Sequence, residues 1–208
     1  MPLFEYIKRL DKILFILIHN DSDHRVLDHI MLAIRNPYSW IPLYLFMIFY
    51  IIKKTGNRAW LFLLLSMITI AITDSCSGLL LKPLIGRLRP CYDPEIHAFI
   101  RHLIDCGGMY SFPSSHAANH FGLAIFWFWS IWKITGKKWK WLWVWASLIC
   151  YAQVYVGAHF PLDVAGGALL GWVIGIGMAK IFEYSWESEI NLQNIMPGIK
   201  ARFIMKKI

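Results

Sequence analysis

Charge is scarce in this 208-residue chain. Asp, Glu, Lys and Arg together make up 16% of it, against roughly 25% in ordinary soluble domains. That excludes a disordered segment, which depends on high charge and low hydrophobicity, and no short repeat is present to build collagen or a coiled coil. Acids are scarcer than bases, 13 against 21, giving a formal net charge of +8. The four cysteines are too few for a disulfide scaffold and lack zinc-finger spacing. A basic leader and a small-residue cleavage site are also missing, so no cleavable signal is expected. What fills the chain is apolar: 57% hydrophobic residues and a mean hydropathy of +0.47. This is the composition of a membrane protein, with one domain for its length. Its surplus of base then belongs at cytoplasmic membrane edges rather than on nucleic acid.

Runs of about 17–25 apolar residues cross a bilayer as helices. Five candidates appear, at 38–52, 60–81, 117–132, 141–158 and 162–182. The last contains Gly166, Gly167, Gly171, Gly175 and Gly177, which permit close helix contacts. Residues 3–19 read either as a short further span or as an amphipathic helix in the interface, because Glu5, Lys8, Arg9, Asp11 and Lys12 precede its apolar part. A surface helix is expected over 23–34. The fold class is therefore all-α, a polytopic transmembrane bundle of five to six spans. Residues 1–37 form its interfacial or half-spanning helices, 38–184 the catalytic bundle and 185–208 a cytoplasmic tail.

Loop charge sets the orientation. The 53–58 turn holds Lys53, Lys54 and Arg58, and the 133–140 turn holds Lys133, Lys137, Lys138 and Lys140, neither with an acid. Seven of the 11 tryptophans lie between residues 127 and 145, where an aromatic belt is expected. The positive-inside rule makes these turns cytoplasmic, together with the tail that ends in Lys206 and Lys207. The 82–116 loop and the 158–162 turn fall on the opposite side.

Three polar groups gather on that outer side: Lys82 with Arg87, Arg89 and Pro90; Phe112-Pro113-Ser114-Ser115-His116; and Gln153 with His159 and Asp163. Ionisable residues clustered in or near a membrane are functional candidates. Lys82, Arg87 and Arg89 are cationic donors suited to phosphate. Ser114, Ser115 and His116 open a helix, where free N–H groups favour an anion. His159 and Asp163 are four apart and share a face if a helix begins there. A carboxylate on one imidazole nitrogen leaves the other free as nucleophile or base, and His116 remains to protonate a leaving oxygen. Such a set suits phosphoryl transfer.

These groups resemble the signature of the type-2 phosphatidic acid phosphatase family of integral membrane lipid phosphatases. Its first motif, Lys, six intervening residues and Arg-Pro, is matched by Lys82 and Arg89-Pro90. Its second, Pro-Ser-Gly-His, is matched by Pro113-Ser114-Ser115-His116 with Ser for Gly. Its third, Ser-Arg followed by His and Asp, is matched by His159 and Asp163, with Ala152-Gln153 in place of Ser-Arg. The resemblance covers roughly residues 60–182. It implies a mechanism with no metal and no cofactor, in which His159, oriented by Asp163, attacks phosphorus to form a phosphohistidine. His116 acts as general acid, and Lys82, Arg89, Ser114, Ser115 and Gln153 hold the phosphoryl oxygens. Gln153 lacks the charge and fork of arginine, and Arg87 is the expected replacement. His120, four residues after His116, suggests a metal site but reads better as a polar cavity residue. Asp74 is expected to pair with a basic side chain.

Cys91 and Cys106 share the outer loop, and a bridge between them is expected in an oxidising compartment. Taken together, the expectation is a lipid phosphatase at the outer face of a bacterial inner membrane. Its partners are the bilayer and a lipid phosphate, with undecaprenyl diphosphate as first choice. Phosphatidylglycerol phosphate, phosphatidic acid and lipid A phosphate remain open, as does the oligomeric state. A non-hydrolytic lipid-phosphate binding or transport protein, or a phosphotransferase, is the alternative.

Overall fold

Among the described residues the apolar stretches become eight α-helices, and the only β pairing is an isolated antiparallel bridge between Leu88 and Tyr110. The computed structural model describes residues 3–20 and 24–195, with side chains described to residue 188. The helices are α1 (Leu3–Asn20), α2 (Arg25–Arg35), α3 (Ile41–Thr55), α4 (Ala59–Asp74), α5 (Lys82–Ile85), α6 (Ser115–Thr135), α7 (Trp141–Tyr155) and α8 (Pro161–Ile195).

Helix α4 does not stop at the end of its apolar run. A π-helical stretch, Ser75–Leu81, carries it into α5, so the helix continues past Lys82. Pro83 lies in the first turn of α5, where a missing N–H costs little. Gly86 ends the helix in the left-handed region at φ +64°, with its N–H bonded to the Lys82 carbonyl at 3.0 Å. That conformation suits glycine, and it turns the chain so that Arg87 and Arg89 follow directly on Lys82.

Helix α6 lies at the centre, against α4, α7 and α8. Its contact with α8 is backbone on backbone. A Cβ on Gly167, Gly171 or Gly175 would overlap the Ser114, Ala118 or Gly122 carbonyl oxygen, respectively. The four-residue spacing places these three glycines on one face of α8. Of the other two, Gly166 faces the Phe112 ring and Gly177 has nothing within 4 Å. Close approach sets the start of α6 beside the start of α8, where the Ser114 N–H donates to the Asp163 carbonyl at 2.9 Å.

The main core joins Met47 and Ile51 of α3, Phe62 and Leu65 of α4, Phe126 of α6 and Phe182 of α8. The tryptophan-rich stretch is not wholly a belt. Trp127 and Trp145 are buried and stack in parallel at 5.7 Å, with Trp127 Nε1 donating to Ser66 Oγ at 2.9 Å, whereas Trp129, Trp141 and Trp143 face outward. An indole with a satisfied N–H packs as a large apolar group.

Among the described residues two helical stretches, Pro37–Ile85 and Pro161–Ser188, are long and apolar enough to cross a bilayer. The exterior carries large apolar side chains such as Phe49, Met67, Leu79 and Val173, a surface that lipid solvates and water does not. Helix α1 buries Asp11, Phe15 and His19 as one stripe and turns Leu3, Ile7, Leu14 and Leu17 outward. Helix α8 passes residue 184 without a break and continues to Ile195. Lys206 and Lys207 lie outside the described residues.

Candidate active site

The site forms where three chain turns meet. At the first, the 86–111 loop is stitched across its base: the Arg89 N–H donates to the Met109 carbonyl at 3.0 Å, and the Ser111 N–H to the Arg87 carbonyl at 2.7 Å. Cys91 and Cys106 are joined in a disulfide with their Cα atoms 6.1 Å apart. Arg89 Nε donates to the Tyr110 carbonyl at 3.4 Å.

The second turn is the start of α6. Ser114 is its N-cap, with Oγ accepting from the Ala117 N–H at 3.4 Å. An N-cap leaves the first helical N–H groups, here those of Ser115 and His116, free for an anion. Lys82 Nζ donates to Ser115 Oγ at 3.1 Å, and Ser77 Oγ, from the π-helical stretch, donates to the same atom at 2.9 Å. Lys82 is thereby tied to the anion-binding end of α6.

The third turn, between α7 and α8, carries His159 and Asp163. Asp163 is the third residue of α8, and its Oδ2 reaches back to accept the Phe160 N–H at 2.9 Å, half of a capping box. His159 Nδ1 lies 3.7 Å from the same Oδ2, a contact that needs slight closure to become a hydrogen bond. His159 is 1% exposed. Burial pushes its imidazole down to about 4, the Asp163 carboxylate opposing that shift, so the ring is neutral and nucleophilic at pH 7. Arg89 and His116 both lie within electrostatic range of it. The two imidazoles, Lys82 and Arg89 therefore converge on one site.

Two of the expected site residues have surroundings set by the rest of the fold. Arg87 is held by carboxylates: Nη1 donates to Asp163 Oδ1 at 2.9 Å, Nη2 to Asp11 Oδ2, and the guanidinium lies over the Phe160 ring at 4.4 Å. Each terminal nitrogen thus gives a hydrogen bond to a carboxylate, and one of those carboxylates is Asp163. The other is Asp11, whose Oδ1 also accepts the Leu162 N–H at 2.8 Å and so caps α8 from outside. Gln153 is fully buried, and neither side-chain amide atom has a hydrogen-bond partner. Its carbonyl accepts the His159 N–H at 3.3 Å.

His120 has both ring nitrogens engaged: Nδ1 with the His116 carbonyl at 2.8 Å and Nε2 with the Tyr44 hydroxyl at 3.5 Å. Among the described residues, no three His, Cys, Asp or Glu side chains gather as a metal site. Asp74 accepts the Asn119 amide at 3.4 Å rather than a basic side chain.

The N-terminal helices supply what the sequence reading missed. Besides Asp11, His19 is buried, its Nδ1–H donating to the Tyr155 carbonyl at 2.7 Å and its Nε2 accepting the Arg101 N–H at 3.0 Å. Arg35, at the end of α2, lies within electrostatic range of Arg89 and His116. The available signal was an acid in an apolar helix, in step with Phe15 and His19 at four-residue spacing.

Comparison with known proteins follows the same lines. Residues 59–187 match the PAP2 superfamily. The lipid A 4'-phosphatase of Porphyromonas gingivalis is 26% identical over 192 residues, covering 87% of this chain and 76% of that protein. The protein of the same name from Bacteroides thetaiotaomicron is 32% identical over 177 residues, 81% and 75% of the two. The undecaprenyl-diphosphatase of Sulfolobus acidocaldarius is 40% identical over 67 residues, 31% of this chain and 30% of that one. The crystal structure of a transmembrane PAP2-type phosphatidylglycerolphosphate phosphatase from Bacillus subtilis superposes with a TM-score of 0.66 at 20% identity, covering 86% and 87% of the two chains.

Proposed function

Since the chain belongs to the PAP2 superfamily, we propose that it is a membrane phosphatase that removes a phosphate monoester from a glycolipid of the lipid A type through a phosphohistidine. The supporting observation is the convergence of a buried neutral His159, backed by Asp163, with the Lys82-anchored start of α6. His159 Nε2 attacks phosphorus as the P–O bond to the lipid breaks; His116, which burial lowers to about 3, takes up a proton as the phosphate's negative charge enters and gives it to the departing oxygen. The imidazolium of His159 is stabilised by Asp163, which Arg87 and the Phe160 N–H hold in place. Water, deprotonated by His116, then attacks the phosphohistidine; phosphate leaves and both histidines return to their starting states. Lys82, Arg89, Ser114 and the N–H groups of Ser115 and His116 stabilise the charge on the phosphoryl oxygens.

The lipid A choice rests on the two relatives whose likeness runs through three quarters of their own length. The undecaprenyl diphosphate expectation is supported by a likeness of 67 residues. An apolar groove of about 760 Å³ beside the site, walled by Phe4, Ile7, Leu88, Phe112 and Leu169 with Lys8 and Lys12 along it, suits acyl chains below a phosphorylated headgroup. We place the bundle in a bacterial inner membrane with five to six crossings and the site on the outer side, as loop charge indicates.

The test is phosphate release by purified protein in detergent with EDTA, over a panel of lipid A 4'-phosphate, lipid A 1-phosphate, undecaprenyl diphosphate, phosphatidic acid and phosphatidylglycerol phosphate. Preferred release from the 4'-phosphate, abolished in His159→Ala, with acid-labile label trapped on the wild-type protein, is the expected result. Release that survives His159→Ala overturns the mechanism, and preference for the diphosphate overturns the substrate.

A further inference from the structure

We propose that Arg35, from α2, is a phosphate-binding residue of this site, supplying the guanidinium that the signature's third motif carries where this chain has Gln153. The inference rests on the phosphatase reading for its substrate but not for its ligand, which is a phosphate group.

The charge has to come from outside the motifs. Gln153 is neutral, and Arg87 is held between Asp11 and Asp163. Arg35 reaches the site because of how α2 is seated. Its neighbour Ile34 packs against the buried cluster that includes Ala152, Tyr155 and Val156, near Gln153 in the chain at the end of α7. The Ile34 carbonyl accepts Trp40 Nε1 at 2.7 Å. Trp40 meets Trp145 edge-on at 5.9 Å, Trp145 meets the His120 ring at 5.2 Å, and His120 is bonded to the His116 carbonyl. A continuous set of contacts thus fixes the end of α2 against the general acid and the vacated motif position together.

Arg35 is half-buried there, and its Nε is buried without a hydrogen-bond partner. Among the described residues it makes no ion pair. Burial, and then the like charge of Arg89, push it below its ordinary value, the electrostatic cost of holding a half-buried guanidinium beside another cation. A guanidinium kept in such a place is unfavourable unless an anion joins it. Gln153 Nε2 and His159 Nδ1 are likewise buried and unbonded. A phosphate received by Arg35, Arg89 and Lys82 meets a planar fork from each arginine, with the Gln153 amide as a neutral donor beside them.

The experiment compares wild type with Arg35→Ala, Arg35→Lys and Arg35→Ala/Gln153→Arg, each purified in detergent and checked for monodispersity. Two quantities are read: the Kd of inorganic phosphate by calorimetry and kcat/KM for phosphate release. Arg35→Ala is expected to weaken both by roughly 10- to 100-fold, the range for losing one charged hydrogen-bond partner. Arg35→Lys falls between, and Gln153→Arg in the alanine background recovers at least tenfold, about the value of one restored contact. A merely structural role for Arg35 would not be repaired from α7. Phosphate affinity within twofold of wild type in Arg35→Ala, or a loss repaired neither by lysine nor by Gln153→Arg, overturns the proposal. Arg35-dependent phosphate binding without turnover on any lipid supports it while refuting the hydrolase. Turnover indifferent to Arg35 refutes it while leaving the hydrolase intact, and a wild type that neither binds phosphate nor releases it from any lipid refutes both.

Discussion

Replacing Arg87 by methionine separates a residue that binds the substrate from one that holds the machinery. The guanidinium neutralises Asp11 and Asp163, whose side chains are 1% and 0% exposed, while its own is 23% exposed. Removing one partner from a buried ionic cluster costs about 3–5 kcal/mol, because the remaining charge is left uncompensated. For a domain of this size each kcal/mol moves the melting temperature by roughly 2–4 °C, so a fall of about 10 °C is expected by fluorescence-monitored unfolding in detergent. Asp11→Asn added to Arg87→Met relieves one of the two stranded charges and recovers part of that loss. In catalysis, Asp163 loses its lock while the phosphate keeps its ligands. The expected result is a kcat lower by about 10²-fold, the scale of an ångström of misplacement, with KM within threefold. A KM raised tenfold at unchanged kcat would return Arg87 to the phosphate. An unchanged melting temperature would refute the clamp.

Gly171→Val drives a branched side chain into the Ala118 carbonyl and the Gly122 N–H, and a loss of about 1–3 kcal/mol or more is expected. Gly177→Ala, with open space around it, gains up to about 1 kcal/mol of helix propensity; a comparable loss in both variants would refute the backbone contact. The Cys91–Cys106 bridge closes a loop with a sequence separation of 15, so Cys91→Ser/Cys106→Ser is expected to lower stability by about 3 kcal/mol, checked by denaturation with and without reductant. His159, held near 4 in the fold, binds a proton more readily when unfolded. Its contribution to stability is therefore present above about pH 6.5, declines as pH falls towards 4 and levels off below, a span of about 3 kcal/mol. His159→Asn should flatten the melting temperature across that window, and equal slopes in wild type and variant would refute the buried neutral ring.

The helical bundle was legible because membrane helices write themselves as long apolar runs, and the residues expected to react fall where those runs end. The expectation that Lys82, Arg89, His116, His159 and Asp163 gather on one side needed only the alternation of spans. Less legible was anything set by tertiary pairing. The composition of residues 127–145 suggested a belt, and Trp127 and Trp145 became core because Ser66 lies opposite the indole nitrogen. Arg87 is as basic as Arg89 and two residues away, and nothing local tells them apart. Asp11 does so, 76 residues earlier in the chain, by committing one guanidinium and leaving the other beside the histidines.

That long-range choice explains why the N-terminal helices belong to the chemistry. The superfamily match begins at residue 59, yet Asp11 from α1 caps α8 and clamps Arg87, and α2 carries Arg35 to the site. An ion pair assembled from separate elements, in a region that excludes water, holds only while every element stays docked. Helix α1 meets this demand through its buried stripe of Asp11, Phe15 and His19, and α2 through Met31, Asp28 and Ile34. Asp28 binds both Arg101 at 3.0 Å and the Tyr155 hydroxyl at 2.8 Å. On the proposed mechanism the motif helices supply the nucleophile, the acid and two cations, while Asp11 of α1 holds the guanidinium that bonds to Asp163. A change of charge at position 153 is then tolerable wherever a helix outside the motifs can bring a guanidinium to the same phosphate.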